Sequence, residues 1–206
     1  MKSSTSSGRV SSADKAGAAT TPRGADATRA RILDAARLLF SQNSYEGVGV
    51  REIASLAQAD PALVIRYFGS KEELFRAVVA MAFDTEDLLV GGIDALPKQA
   101  TDMLMGTVDN EAWRASYDPL RLLLCSIGSP TAGPILGYYL DKDFLTPLSR
   151  ALAGKHARER AALLGAQIIG FALMRVALSG SSTEPLQRTS LRKLLQESLA
   201  TALKAI

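Results

Sequence analysis

One cysteine and one histidine in 206 residues leave no pair for an internal disulfide and no Cys/His cluster for a metal, which excludes zinc fingers and disulfide-stapled secreted scaffolds. No apolar run reaches the roughly 18 to 20 residues that span a bilayer, although 47% of the residues are hydrophobic and only 22% are charged. Period-2 alternation between turn residues is missing over any useful length, so strand signals are nearly absent. The first two dozen residues hold no apolar stretch of the secretory kind. A soluble, cytoplasmic, all-α protein is expected.

The net charge is +3. Residues 1–72 carry 10 Lys/Arg against 7 Asp/Glu, and residues 73–206 carry 14 of each. The excess is N-terminal, as in a nucleic-acid-binding head on a neutral body, but three charges alone are weak evidence.

Helical periodicity organises the chain. Residues 1–25 are Ser, Ala, Thr and Gly with scattered cations, too poor in large apolar side chains to offset their ordering entropy, and read as a disordered arm. From Asp26, the stripe Ile32, Ala35, Ala36, Leu39 and Phe40 marks a first helix. Val50, Ile53, Ala54 and Ala57 mark a second, with Gly49 as a tolerable N-cap. Asp60-Pro61 combines a capping acid with a proline at the first helical position and opens a third helix that Gly69 ends after about two turns. Ser70-Lys71-Glu72-Glu73 is a capping box opening a fourth, predicted to run as far as Leu89. Further helices are expected over 97–108, 119–127, 134–153 with a break at Pro147, 156–178 and 190–205. The stretch from Ala161 to Met174 holds no charge and sets small residues at Ala162, Ala166 and Gly170, so it is expected to be buried nearly all round. With the stripe Leu191, Leu194, Leu195, Leu199 and Ala202, it offers more apolar face than one small bundle covers, which implies a partner subunit.

The second and third helices form a helix-turn-helix candidate. That geometry also occurs in corners that bind nothing, so the residue types carry the argument. Arg51, Arg66, Tyr67 and Lys71 are donors suited to phosphate oxygens. A lysine at a helix N-terminus opposes the macrodipole and so points to an anionic neighbour. Val64 and Phe68 are the expected anchors of the third helix, which leaves Pro61, Ala62, Leu63 and Ile65 outward, where thymine methyls in a major groove would give apolar side chains a purpose.

Taken together, Ile32-Leu33-Asp34-Ala35-Ala36, Phe40, Gly47, Val50-Arg51-Glu52-Ile53-Ala54, Leu63-Val64-Ile65-Arg66-Tyr67-Phe68 and Ser70-Lys71-Glu72-Glu73-Leu74-Phe75 resemble the DNA-binding domain of TetR-family transcriptional regulators. The segment from Asp118 through Arg175 resembles one common C-terminal type more loosely. The resemblance implies a helix-turn-helix domain over 26–72, followed by a helical effector-binding and dimerisation domain over 73–206. It implies a homodimer paired through its C-terminal helices, bound to a palindromic double-stranded operator as a repressor and released by a small organic effector. Three positions depart from the family pattern: Gly49 where a hydroxyl is common, Ile65 where an aromatic is common, and Tyr67 where histidine is frequent. Met103, Trp113, Cys125 and Tyr138 are the candidates for lining an effector cavity, although large apolar residues in helical bundles are core by default. His156, between Lys155 and Arg158, is expected to be exposed.

The rival classes are a non-catalytic partner-binding helical protein and a helical enzyme. Against the enzyme stand the absence of a Ser-His-Asp set, a Gly-rich phosphate loop, a His/Glu pair at helical spacing and an acid pair in an apolar setting. No cofactor or metal is expected.

Overall fold

The computed structural model describes residues 22–83, 89–105, 116–178 and 188–204. Helix α1 spans Pro22–Gln42, α2 Val50–Leu56, α3 Pro61–Phe68 and α4 Lys71–Val79. A 3-10 turn over Ile93–Ala95 leads into α5, Leu96–Met105, and then come α6 (Pro119–Ser126) and α7 (Ala132–Tyr139). A π-helical turn at Leu140–Leu145 joins α7 to α8 (Thr146–Ala151), and α9 (Ala157–Leu178) and α10 (Arg188–Ala202) complete the chain. No strand occurs among the described residues, and none of these helices is long and apolar enough to cross a membrane.

Helix α1 belongs to both ends of the molecule. It packs on α2, α3 and α4, and also against α6. Ile32, Ala36 and Phe40 on its inner face are fully buried, with Leu39 and Ala35 nearly so. Phe40 stacks on Tyr45 at 5.8 Å between centroids and meets Phe75 edge-on at 4.9 Å, while Tyr45 meets Phe75 at 5.1 Å. These T-shaped contacts suit the aromatic quadrupoles and lock the α1–α2 loop onto α4. Farther along, α9 packs against α5, α6, the π turn, α8 and α10, and a single hydrophobic core runs through both ends.

Several boundaries differ from the sequence expectation. Helix α1 begins at Pro22, a turn earlier than Asp26, because proline is preset for the first helical position and Thr28 Oγ1 donates to the Gly24 carbonyl at 2.8 Å. Residues 1–21 of the expected arm lie outside the described residues. Helix α4 ends at Val79, well short of Leu89. Met81 N–H and Ala82 N–H bond three residues back, to Val78 and Val79, and this tightening returns Phe83 to the core at 7% exposure.

The expected break at Pro147 lies before the proline. Pro147 has no N–H to give and its ring crowds the preceding turn. The helix widens over Leu140–Leu145 instead, and Thr146 N–H donates to the Asp141 carbonyl, five residues back. Gly165 faces this turn so closely that a Cβ there would lie 3.1 Å from Phe144 and 3.3 Å from Leu145.

Helix α9 is not buried all round in the single chain. Ala161, Leu164, Ile168 and Ala172 face inward, whereas Leu163, Leu173 and Met174 are 52%, 43% and 55% exposed. Ala162 and Ala166 lie on the exposed side as well.

Candidate nucleic-acid interface

Helix α3 is built from strong local signals. Asp60 sits in extended backbone, and its carboxylate accepts the Ala62 N–H at 2.7 Å. Pro61 takes the first helical position, and Gly69 ends the helix with φ +83°. Ser70 Oγ then accepts the Glu73 N–H at 3.1 Å to start α4. The Glu73 carboxylate lies 3.3 Å from Arg76 Nε.

Val64 is fully buried and Phe68 nearly so, as the spacing predicts. Pro61, Ala62, Ile65 and Arg66 are exposed. One side of α3 thus presents three apolar groups and one guanidinium to solvent, with Ile65 at 46% exposure. Leu63, expected outward, and Tyr67, expected to donate to phosphate, are half-buried against the core. On a helix of eight residues, the crossing with α1 and α4 decides which flanks are covered.

The turn between α2 and α3 closes with Gln58 N–H on the Ser55 carbonyl and Ala59 N–H on the Ala54 carbonyl, the pair of bonds of a Schellman motif. Its left-handed position is occupied by Gln58, at φ +50°, where glycine is usual. Arg31 of α1 holds this turn. Its Nε donates to the Ala57 carbonyl at 3.1 Å and a terminal nitrogen donates to Thr28 Oγ1 at 3.3 Å. Arg29 lies over the Phe68 ring at 4.8 Å. Sequence reasoning missed both arginines, and their only signal was a position off the apolar stripe of α1.

Arg51 and Arg66 are exposed and have no ion-pair partner among the described residues. Gly49 caps α2 through its backbone at φ −100°, and its N–H donates to the Glu52 carboxylate at 3.5 Å. A Cβ at Gly49 would meet nothing within 4 Å, so the missing hydroxyl is not excluded by space.

Lys71 is half-buried with Nζ 4.3 Å from the Tyr45 ring centroid. Burial pulls its ammonium pKa down, opposed by the nearby Glu46 charge. The anionic neighbour inferred for Lys71 therefore includes a residue of the chain itself. Burial also raises the Tyr45 phenol.

Contacts between polar and charged side chains help to tie this head to the rest of the chain. The Ser129 hydroxyl donates to Glu46 Oε1, Arg121 donates to Ser41 Oγ at 3.4 Å, and Arg37 lies over the Tyr117 ring at 4.3 Å. The Ser129 bond holds the Glu46 carboxyl below the usual carboxylate range.

The effector-cavity candidates among the described residues lie on three different helices. Met103 and Tyr138 are 50% and 58% exposed. On α5 the covered side is Leu96, Ala100, Thr101, Leu104 and Met105, which turns Met103 outward; on α7, Ile135 and Leu136 take the core and Tyr138 stacks edge-on against Tyr139 at the surface. Cys125 is half-buried at the α1–α6 contact, its thiol 3.7 Å from the Ser41 carbonyl and pushed up in pKa by burial. Trp113 lies outside the described residues. His156 is exposed, as expected, at φ +55°.

Comparison with known proteins places these features. Residues 32–78 match the model of bacterial regulatory proteins of the tetR family, and residues 101–205 match a tetracyclin repressor-like C-terminal domain. Over 55 residues the chain is 42% identical to the transcriptional repressor NicS of Pseudomonas putida, a match covering 27% of this chain and 26% of that protein. The regulator UidR of Escherichia coli is 36% identical over 55 residues, covering 27% of this chain and 28% of its own. These curated relatives are thus matched over little more than a quarter of their length. Among solved structures, NalD, the secondary repressor of a multidrug efflux pump in Pseudomonas aeruginosa, superposes with a TM-score of 0.60 at 18% identity, covering 86% of this chain and 97% of that one. A TetR-family regulator from Streptomyces coelicolor gives 0.54 at 20% identity over 86% of this chain and 95% of its own. With the helix-turn-helix matched by one model and the helical body by another that takes in half the chain, the protein belongs to the TetR family of bacterial regulatory proteins.

Proposed function

We propose that the protein is a DNA-binding transcriptional repressor that holds a palindromic operator as a homodimer and leaves it on binding a small organic effector. The observation that carries this reading is the outer face of α3. Pro61, Ala62 and Ile65 are exposed there beside Arg66, with Arg51 and Lys71 on the adjoining helices. Apolar groups on a two-turn helix have no packing reason to face solvent, whereas the major groove offers them thymine methyls. Arg51, Arg66, Tyr67 and Lys71 supply phosphate contacts that position the helix without specifying sequence. The half-buried Leu63 serves mainly to seat it. Arg29 and Arg31 extend the basic rim along α1. The named function of the curated relatives, transcriptional repression or regulation, supports a regulator with no catalytic role.

The dimer is assigned to α9 and α10. Leu163, Leu173 and Met174 on one and Leu194 on the other, 63% exposed, are apolar surface that a twofold four-helix contact would cover. For the effector, support comes from inside the body. The Thr101 and Ser126 hydroxyls are fully buried without a partner, and the Gln167 amide oxygen is likewise unpartnered. They lie on α5, α6 and α9, which pack around one another through α9. Arg160 is the only buried charged side chain among the described residues, and backbone carbonyls occupy it. This favours an uncharged compound with hydrogen-bonding groups. To expel the protein from DNA, it must bind the DNA-incompatible state more tightly.

The test uses a duplex selected by the protein from a random pool, and a scrambled duplex, at several salt concentrations. Lys71→Ala is expected to weaken binding to both about equally and to lower the salt slope by about two units per dimer, one for each lost phosphate contact. Ala62→Ser is expected to change which duplex is preferred. Failure of the parent protein to select any sequence would overturn the reading.

A further inference from the structure

The contact between Glu46 and Ser129 joins residues 83 apart in sequence. Glu46 sits in the loop between α1 and α2, and Ser129 in the turn between α6 and α7. That turn is stiff. Ser129 Oγ accepts the Ala132 N–H at 2.9 Å and the Thr131 N–H at 3.2 Å, and the Ser129 carbonyl accepts the Gly133 N–H at 2.9 Å. A Cβ at Gly133 would lie 2.7 Å from the Ile127 carbonyl oxygen, so the turn tolerates no other side chain there. The Ser129 hydroxyl is thus aimed at Glu46 by backbone and moves with the ends of α6 and α7.

Lys71 is also a neighbour of this loop. Its ammonium rests on the ring of Tyr45, the residue next to Glu46, and senses the Glu46 charge. One carboxylate therefore bonds a hydroxyl of the body and acts on the cation at the start of α4. We propose that Glu46 is a positioning residue for DNA binding: its bond to Ser129 keeps the carboxylate off Lys71 and leaves that ammonium for a phosphate, and displacement of the α6–α7 turn frees Glu46 to compete for Lys71. The geometry suits such a device. Helix α6 packs on α1, and α7 packs on α4, the helix that carries Lys71, so a shift of the body reaches the loop and the lysine together. The inference rests on the reading of Lys71 as a phosphate contact.

The experiment is a double-mutant cycle on the full-length protein, with the selected duplex and its scrambled control. Ser129→Ala is expected to weaken binding to both duplexes about tenfold at 0.1 M salt and to lower the salt slope toward that of Lys71→Ala. Glu46→Gln keeps an acceptor but removes the charge. In the Ser129→Ala background it is expected to raise affinity about tenfold, back toward the parent, a gain several times larger than its effect in the parent background. A role in stability alone would show no such rescue. Equal effects of Glu46→Gln in both backgrounds would overturn the inference, as would Ser129→Ala with parental affinity and slope. If Ser129→Ala does not fold, Ser129→Asp, which keeps a capping oxygen for α7 and repels Glu46, carries the same cycle. Should Lys71→Ala leave the salt slope untouched, the phosphate reading fails and takes this inference with it. A lowered slope in Lys71→Ala beside an additive Glu46 cycle would sink the inference alone.

Discussion

Replacing Arg160 by leucine removes a buried charge that no carboxylate balances among the described residues. The side chain is 7% exposed, and its guanidinium donates to the carbonyls of Ala153 at 2.7 Å, Lys155 at 3.3 Å, Ala202 at 3.4 Å and Leu203. It thereby ties the C-terminal end of α10, where a cation suits the helix dipole, to the first turn of α9 and the loop before it. Hydrogen bonds to a charged group contribute about 1.5–3 kcal/mol each. Two of the four are long, and water reaches the half-exposed Leu203 once the guanidinium is gone. Leucine also carries no desolvation cost of its own, which offsets part of the loss. The net expectation is about 2–3 kcal/mol of destabilisation, because the carbonyls stay behind without donors. For a chain of this length that lowers Tm by roughly 4–12 °C. Circular dichroism melts at fixed protein concentration measure it, and Arg160→Lys, with one point charge in place of a planar fork, should fall in between. Arg160→Leu melting within about 1 °C of the parent would refute the reasoning, since water would then satisfy those carbonyls as well as arginine does.

Gln58→Gly should raise stability by about 0.5–1 kcal/mol, because φ +50° costs an L-residue strain that glycine avoids; a lower Tm would show that the glutamine side chain matters more than its backbone. Gly170→Leu should split the proposed dimer in sedimentation while leaving the helical content intact, since a Cβ there meets nothing within 4 Å in the single chain, and unchanged association would remove α9 from the proposed interface. Asp102, held below the usual carboxylate range by its bonds to Lys98 and then Arg192, links α5 to α10. Its contribution to stability is present above the unfolded carboxylate value near pH 4 and is lost as pH falls through the depressed folded value. Asp102→Asn should therefore flatten the acid side of the Tm–pH curve, an effect that high salt suppresses.

The sequence by itself determined the helix-turn-helix, because its terms act over four residues or fewer. Asp60 reaches the second amide ahead, Pro61 presets its own φ, Gly69 supplies its own positive φ, and Val64 and Phe68 share a face by helical period alone. The same short reach explains why Val64 and Phe68 were identifiable as anchors. What covers a face is a different matter. Size and apolar character made Met103 and Tyr138 candidates for a cavity, but the packing of other helices turned both outward and half-covered Leu63 and Tyr67. The sequence placed a break at Pro147, but that it took the form of a widened turn whose Phe144 and Leu145 lie against Gly165 of α9 was set by packing, and α4 stopped at Val79 where the chain turns to bring Phe83 into the core. The contacts of Glu46 with Ser129, of Arg31 with the α2–α3 turn and of Arg160 with the end of α10 left no local trace at all. Each joins groups 26 to 83 residues apart. Such pairs meet only after the hydrophobic core has brought their helices together, so only the tertiary structure decided them.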